Sequence, residues 1–135
     1  MKVWDPATGE RLFTLSESTD ALQTVIVSAD GKLAAAAGVD KSIRLWDLTP
    51  KAGALKNSLI AHEDVILQLA FSPDGSLLAS GSADRSVKQF RTVDLTELKT
   101  IASQSDWPTG LVFTPDGQSL QVSRLDGTTQ TYSVK

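Results

Sequence analysis

Cysteine is missing from the 135 residues, so neither a disulfide nor a thiolate metal site can form. Histidine occurs once, at His62, so there is no Cys/His cluster to hold a metal. No apolar run approaches the ~20 residues needed to span a bilayer, and a membrane partner is not expected. No stretch concentrates basic charge: 13 Lys and Arg are spread among 16 Asp and Glu, for a net charge of -3. Counterion release, which drives nucleic-acid binding, therefore has no footprint, and nucleic acid is excluded as a partner. The opening Met1-Lys2-Val3-Trp4-Asp5-Pro6 lacks the apolar region of a secretory signal. No glycine-rich phosphate loop is present, and no cofactor is expected. What remains is ordinary for a soluble globular domain, at 41% apolar and 21% charged, with a cytoplasmic location as the expectation.

What the chain does have is internal repetition. Asp-Gly pairs stand at Asp30-Gly31, Asp74-Gly75 and Asp116-Gly117, 44 and 42 residues apart. Sixteen residues after each of these Asp residues comes an aromatic, at Trp46, Phe90 and Tyr132. Six residues before each aromatic stands another Asp, at Asp40, Asp84 and Asp126. A third series, Asp20, Asp64 and Asp106, keeps the same steps, and Trp4 precedes Trp46 by 42. Several landmarks in one register define a repeat architecture. The two surplus residues of the first step fall within Thr49-Pro50-Lys51-Ala52-Gly53, a loop that absorbs them at little entropic cost.

Each unit reads as short strands. Val25-Ile26-Val27, Leu69-Ala70-Phe71 and Leu111-Val112-Phe113 are apolar runs that suit a strand buried on both faces. Ser72-Pro73-Asp74-Gly75 and Thr114-Pro115-Asp116-Gly117 are turns in which Pro fixes φ, Asp bonds nearby backbone and Gly takes positive φ. Ser76 to Ser80 predicts a second strand, Ser42 to Trp46 a third, and Arg11 to Leu15 a fourth. Ala34 to Ala37 is read as a strand as well, because Leu78-Ala79-Ser80-Gly81 occupies the same register.

These units resemble the WD-repeat β-propeller family. Trp4-Asp5 and Trp46-Asp47 match its name-giving dipeptide, and Phe71-Ser72-Pro73-Asp74-Gly75 with Leu78-Ala79-Ser80-Gly81-Ser82 is similar to its pattern. The resemblance covers nearly the whole chain and is loosest at Val122-Ser123-Arg124. It implies an all-β fold of three four-stranded antiparallel blades forming part of a ring. Residues 1–135 then make a single partial propeller domain, with repeats near 10–47, 53–91 and 94–133 and a leftover strand at 1–5.

Ser80, His62 and Asp84 could be read as a hydrolase triad of nucleophile, base and orienter. No Gly-x-Ser-x-Gly elbow surrounds Ser80, and the chain is expected not to be an enzyme. The family resemblance implies instead a hydrogen-bonded structural tetrad of Asp, His, Ser/Thr and Trp within each blade. Asp84, His62 and Ser80 match three of its places and Phe90 the fourth. Asp40 and Trp46 match two in the first unit, where Ser18 and Ala36 fill the others. Asp126 matches one in the last, beside Gln104, Val122 and Tyr132. The recurring Asp20, Asp64 and Asp106 are read as turn-capping residues, since each loop offers too few carboxylates for a calcium site.

Propellers close into rings of typically ~4–8 blades, so three blades should expose two large apolar flanks. Closure by self-association is therefore expected, two or three copies giving six or nine blades. A piece of a longer repeat array is the alternative. The resemblance further implies that a protein or peptide binds across the loops leading into the innermost strands. The matching residues are Ala21, Gln23, Val65, Leu67, Trp107 and Thr109, with Val39, Ala83 and Leu125 ahead of the loop Asp. Trp107 is the leading candidate there, as a large amphipathic ring suits an interface.

Overall fold

In the computed structural model, which describes residues 1–134, every regular element is a β-strand. A hairpin of β1 (Lys2–Trp4) and β2 (Arg11–Thr14) comes first. A four-stranded antiparallel sheet follows, of β3 (Leu22–Val27), β4 (Leu33–Gly38), β5 (Ser42–Leu48) and β6 (Gly53–Ile60) in sequence order. The next has β7 (Ile66–Phe71), β8 (Leu77–Ser82), β9 (Val87–Arg91) and β10 (Glu97–Ile101) in the same meander. The last sheet has three strands, β11 (Pro108–Phe113), β12 (Ser119–Arg124) and β13 (Thr129–Ser133). The expectation of three four-stranded blades thus becomes two complete sheets, a three-stranded one and an outer hairpin, and the ring is not closed.

The turns follow from their residues. Gly31, Gly75 and Gly117 adopt φ of 71°, 73° and 69°, where a side chain would be strained. Beside all three, Ser28 Oγ, Ser72 Oγ and Thr114 Oγ1 donate to Asp30, Asp74 and Asp116 at 2.6 Å, and each Asp accepts a backbone N–H two residues on. The alanine run Ala34 to Ala37 lies wholly in β4, because small side chains let sheets press close on both sides. Gly38 goes further, since a Cβ there would lie 2.1 Å from the Ala21 carbonyl oxygen. The surplus residues near Thr49 close a turn in which Thr49 N donates to Ala52 O, and they lengthen β6.

The sheets stack flank to flank. Ala35, Ala37, Ile43 and Leu45 of the first full sheet meet Ile66, Leu69, Leu78 and Phe90 of the second. Ala79 and Val87 on the other flank meet Phe113, Leu120 and Val122. Ala34, Ala36 and Trp46 receive Val3 and Phe13 of the hairpin. β3, β7 and β11 line the inner wall, and β7 touches both neighbours.

Two expectations change here. Val25 and Val27 are 54% and 56% exposed, whereas Leu69, at the register of Val25, is 4% exposed. The hairpin covers only the outer half of that flank, so β3 is not buried on both faces. The opposite flank of the chain, on the last sheet, is mixed, as Gln121, Thr129 and Thr131 stand exposed on it beside Val112, which pairs with Gln121 and is 55% exposed.

Candidate functional site

The loop that enters each innermost strand is held to the turn before the third strand by backbone. Val39 N donates to Ala21 O at 3.0 Å, Ala83 N to Val65 O at 2.9 Å, and Leu125 N to Trp107 O at 3.0 Å. These equivalent bonds set Ala21 beside Val39, Val65 beside Ala83, and Trp107 beside Leu125, at the same end of successive sheets. Asp20, Asp64 and Asp106 each accept the N–H of the following residue, at 2.7, 2.7 and 2.8 Å, which makes them caps of this loop. Among the described residues no group of three or more His, Asp or Glu is placed to hold a metal ion.

Exposure sorts the candidates. Ala21, Gln23, Thr109, Trp107 and Leu125 are exposed, the last two at 44% and 62%, while Val39, Val65, Leu67 and Ala83 are half-buried. Trp107 therefore does not fold back into its own sheet. Its backbone is fixed from both sides, by the Asp106 carboxylate and by Leu125 N, so the indole stands on a rigid base.

A second Asp clamps the same loop from the other side. Asp84 Oδ2 accepts Glu63 N at 3.0 Å, Asp40 Oδ2 accepts Thr19 Oγ1 at 2.8 Å, and Asp126 Oδ2 accepts Ser105 Oγ at 2.6 Å. The clamp closes a tight turn whose next residue has positive φ in all three units, at Lys41, Arg85 and Gly127. Ser105 and Thr128 hold the Asp126 carboxyl down to about 2.

Beneath the middle loop, His62, Ser80 and Asp84 form one buried network. His62 Nδ1 lies 3.0 Å from Asp84 Oδ2, and Nε2 lies 2.7 Å from Ser80 Oγ. Ser86 Oγ adds a contact to Nδ1 at 3.0 Å and donates to Asp84 Oδ1 at 2.6 Å. The consistent tautomer donates from Nδ1 to the carboxylate and accepts the Ser80 hydroxyl proton at Nε2. Burial pushes the imidazole below its ordinary 6.5, and the Asp84 charge only partly offsets this. Burial pushes the Asp84 carboxyl up, but hydrogen bonds from Ser86, the Glu63 N–H and His62 bring it below its usual value. Ser80 is fully buried and His62 is 3% exposed, so no substrate atom can approach the hydroxyl.

The neighbouring units use other side chains at the same depth. The Trp46 indole donates to Glu17 Oε2 at 3.0 Å, and Ser18 turns to the Asp20 carbonyl. Asp40 pairs with the buried Arg44 at 2.7 Å, so Asp40 and Trp46 do not share one network. Phe90 is fully buried and contributes packing alone. In the last unit Gln104 and Tyr132 gather around Arg124, whose Nε donates to Gln104 Oε1 at 2.8 Å. Its Nη2 donates to the Tyr132 hydroxyl at 2.7 Å, and Val122 packs against the middle sheet instead. Asp126 joins this group through Thr128, whose hydroxyl accepts from Arg124 Nη1 at 3.2 Å and donates to Asp126 Oδ1 at 2.6 Å. Glu17, Arg44 and Arg124 were not singled out in the sequence because they enter the network from registers where the repeat pattern places other residue types.

Comparison with known proteins gives the same reading of the repeats. The family model described as WD40, "WD domain, G-beta repeat", matches residues 9–47 and 53–91, more than half of the chain. The chain is 35% identical over 88 residues to WD repeat and SOCS box-containing protein 1 of Homo sapiens, covering 64% of this chain and 21% of that protein. It is 31% identical over 125 residues to a periodic tryptophan protein 2 homolog of Neurospora crassa, covering 92% of this chain and 14% of the relative. Nuclear distribution protein PAC1 of Arthroderma benhamiae is 28% identical over 141 residues, covering 89% of this chain and 30% of that protein. The chain thus spans less than a third of the length of each of these relatives. With two matched repeats, an all-β meander and sheets stacked flank to flank, this chain belongs to the WD-repeat family.

Proposed function

We propose that the chain works as a non-catalytic protein-interaction scaffold, presenting the loop end of its sheets to a protein or peptide. The observation that carries this reading is Trp107, exposed beside exposed Leu125 on backbone pinned by Asp106 and by the β12–β13 turn. A rigid aromatic next to an apolar side chain is the form that interface anchors take. The Ser80–His62–Asp84 group ties strands and loop together, and its burial supports a structural role over a hydrolytic one.

Completion of the propeller has two readings. Two or three copies of the chain would give six or nine blades, which the open edge of β13 and the half-covered β3 support. Further blades from a longer polypeptide are supported by the length of the relatives. Light scattering after gel filtration separates them, as only the first gives an assembly of two or three copies from this chain alone.

The test of the scaffold is selection of peptides from a random displayed library on the folded chain. Trp107→Ala is expected to weaken a selected peptide by about tenfold or more with the fold intact, the range of an interface anchor. Unchanged binding would place the partner surface elsewhere. Ester hydrolysis abolished by Ser80→Ala would overturn the non-catalytic reading.

A further inference from the structure

The inner strands β3, β7 and β11 each begin two residues after an aspartate of one register, at Asp20, Asp64 and Asp106. Each of these carboxylates accepts a single N–H through Oδ1, that of Ala21, Val65 or Trp107, at 2.7, 2.7 and 2.8 Å. An ionised carboxylate has about four acceptor sites, so most of each is left to solvent. Glu63 adds an exposed carboxylate beside Asp64. Among the described residues no cation is ion-paired with any of these four acids. The Asp-Gly turns at the opposite end of the sheets also form an acidic series. There, however, Ser28, Ser72 and Thr114 each donate a hydroxyl to the carboxylate as well. The loop end instead sets its sparsely bonded carboxylates beside the large exposed ring of Trp107. Lys41 and Arg85 share this end and are exposed, in the β4–β5 and β8–β9 turns outside the aspartate row. Their carbonyls accept Ala61 N and Gln104 N, both at 2.9 Å, which fixes these turns against the loop of the next sheet.

We infer that the partner of the loop end is a cationic protein segment, carrying Lys or Arg beside an apolar residue. The apolar residue seats on Trp107, and the cations lie along Asp106, Asp64 and Asp20. The inference rests on the scaffold reading and deepens it by giving the partner its charge. A neutral or acidic segment laid on this row would strip water from the carboxylates without supplying a counter-charge. Lys or Arg instead supplies charge-assisted hydrogen bonds to the free oxygens. A cation next to Trp107 also gains from the face of the indole. The row is preformed, because Val39 N, Ala83 N and Leu125 N hold the carbonyls of Ala21, Val65 and Trp107, so little ordering entropy is lost on binding. Lys41 and Arg85 repel basic side chains outside the row, which confines the partner's cations to the inner track.

The test uses peptides selected on the folded chain from a random displayed library, and one variant combining Asp20→Asn, Asp64→Asn and Asp106→Asn. Asparagine keeps an oxygen that accepts the same N–H, so the caps stay and the charge goes. Selected peptides are expected to carry at least about twice as many Lys and Arg as Asp and Glu. Raising salt from about 50 to about 300 mM should weaken them about tenfold. The triple variant should bind them about tenfold or more weakly at low salt, with its urea midpoint unchanged. If that variant does not fold, Asp64→Asn alone is expected to weaken binding about threefold. Peptides that need Trp107 but show no basic excess, or that bind the Asn variants as well as the unaltered chain, would overturn this inference and leave the scaffold standing. If no selected peptide depends on Trp107, the scaffold surface itself is misplaced and this inference falls with it.

Discussion

Gln89 shows how much one side chain can matter between stacked sheets. It is buried where the first sheet has Leu45, and its Nε2 has no hydrogen-bond partner among the described residues. An unpaired buried amide costs about 1–3 kcal/mol, and leucine has nearly the same volume. Gln89→Leu is therefore expected to raise the free energy of unfolding by about 1 kcal/mol in urea titration, and a loss of stability would mean the amide is satisfied. His62 gives a pH dependence with a definite sign. Its folded pKa lies below the ordinary 6.5, so the unfolded chain takes up a proton that the buried ring refuses. Stability is full above pH 6.5 and falls as the pH drops below it, and the lowered Asp84 adds a further loss below about 3.8. Urea midpoints at pH 7 and pH 5 should differ in this sense in the unaltered chain and much less in His62→Asn. At this scale the family resemblance was informative, since the tetrad it implies brings His62, Ser80 and Asp84 together although only Asp84 recurs in its register. It was silent on Glu17, Arg44 and Arg124, because a long side chain reaching into a network leaves no periodic mark.

Strands and turns were the most legible level. β1 lies within the expected 1–5, and β2, β3, β4, β5, β7, β8 and β11 overlap the expected runs with shifts of a few residues at their ends. Turn chemistry explains this success, for Asp-Gly at positive φ stops and restarts the chain wherever it occurs. The loop clamps are the elements most open to mutational test. Asp84 serves the Glu63 N–H, Ser86 and the buried His62 ring together, whereas Asp126 binds Ser105 and Thr128 at an exposed turn. Asp84→Ala is expected to cost about 3 kcal/mol, through loss of a partly buried, multiply bonded carboxylate. Asp126→Ala should cost about 1 kcal/mol or less, being solvated. Equal costs in urea denaturation would contradict the idea that the middle unit is the best-tied of the three.

The whole molecule departs furthest from what the repeats alone implied. A repeat count of three predicts two equivalent apolar flanks, but equivalence holds only for positions that the pattern constrains. Leu33, Leu77 and Ser119 share one register, as do Ile43, Val87 and Thr129, and reading down these columns shows the flank becoming polar. The column of Ile26, Ala70 and Val112 stays apolar on the same face, and this mixed character becomes visible only once the strand faces are assigned. The uncovered β3 was not legible, because whether Val25 and Val27 are buried depends on strands outside their own unit. The arc has two sheets, β3–β6 and β7–β10, that receive neighbours on both flanks, and a hairpin and a three-stranded sheet that receive one each.

Hydrogen exchange followed residue by residue tests that arrangement most directly. Amides of β4, β5, β8 and β9 are expected to exchange slowest, by at least about tenfold relative to β1, β2 and β13, because only sheets covered on both sides need global opening to exchange. Uniform protection across the strands, or greatest protection in the β1–β2 hairpin, would contradict an arc of sheets stacked flank to flank.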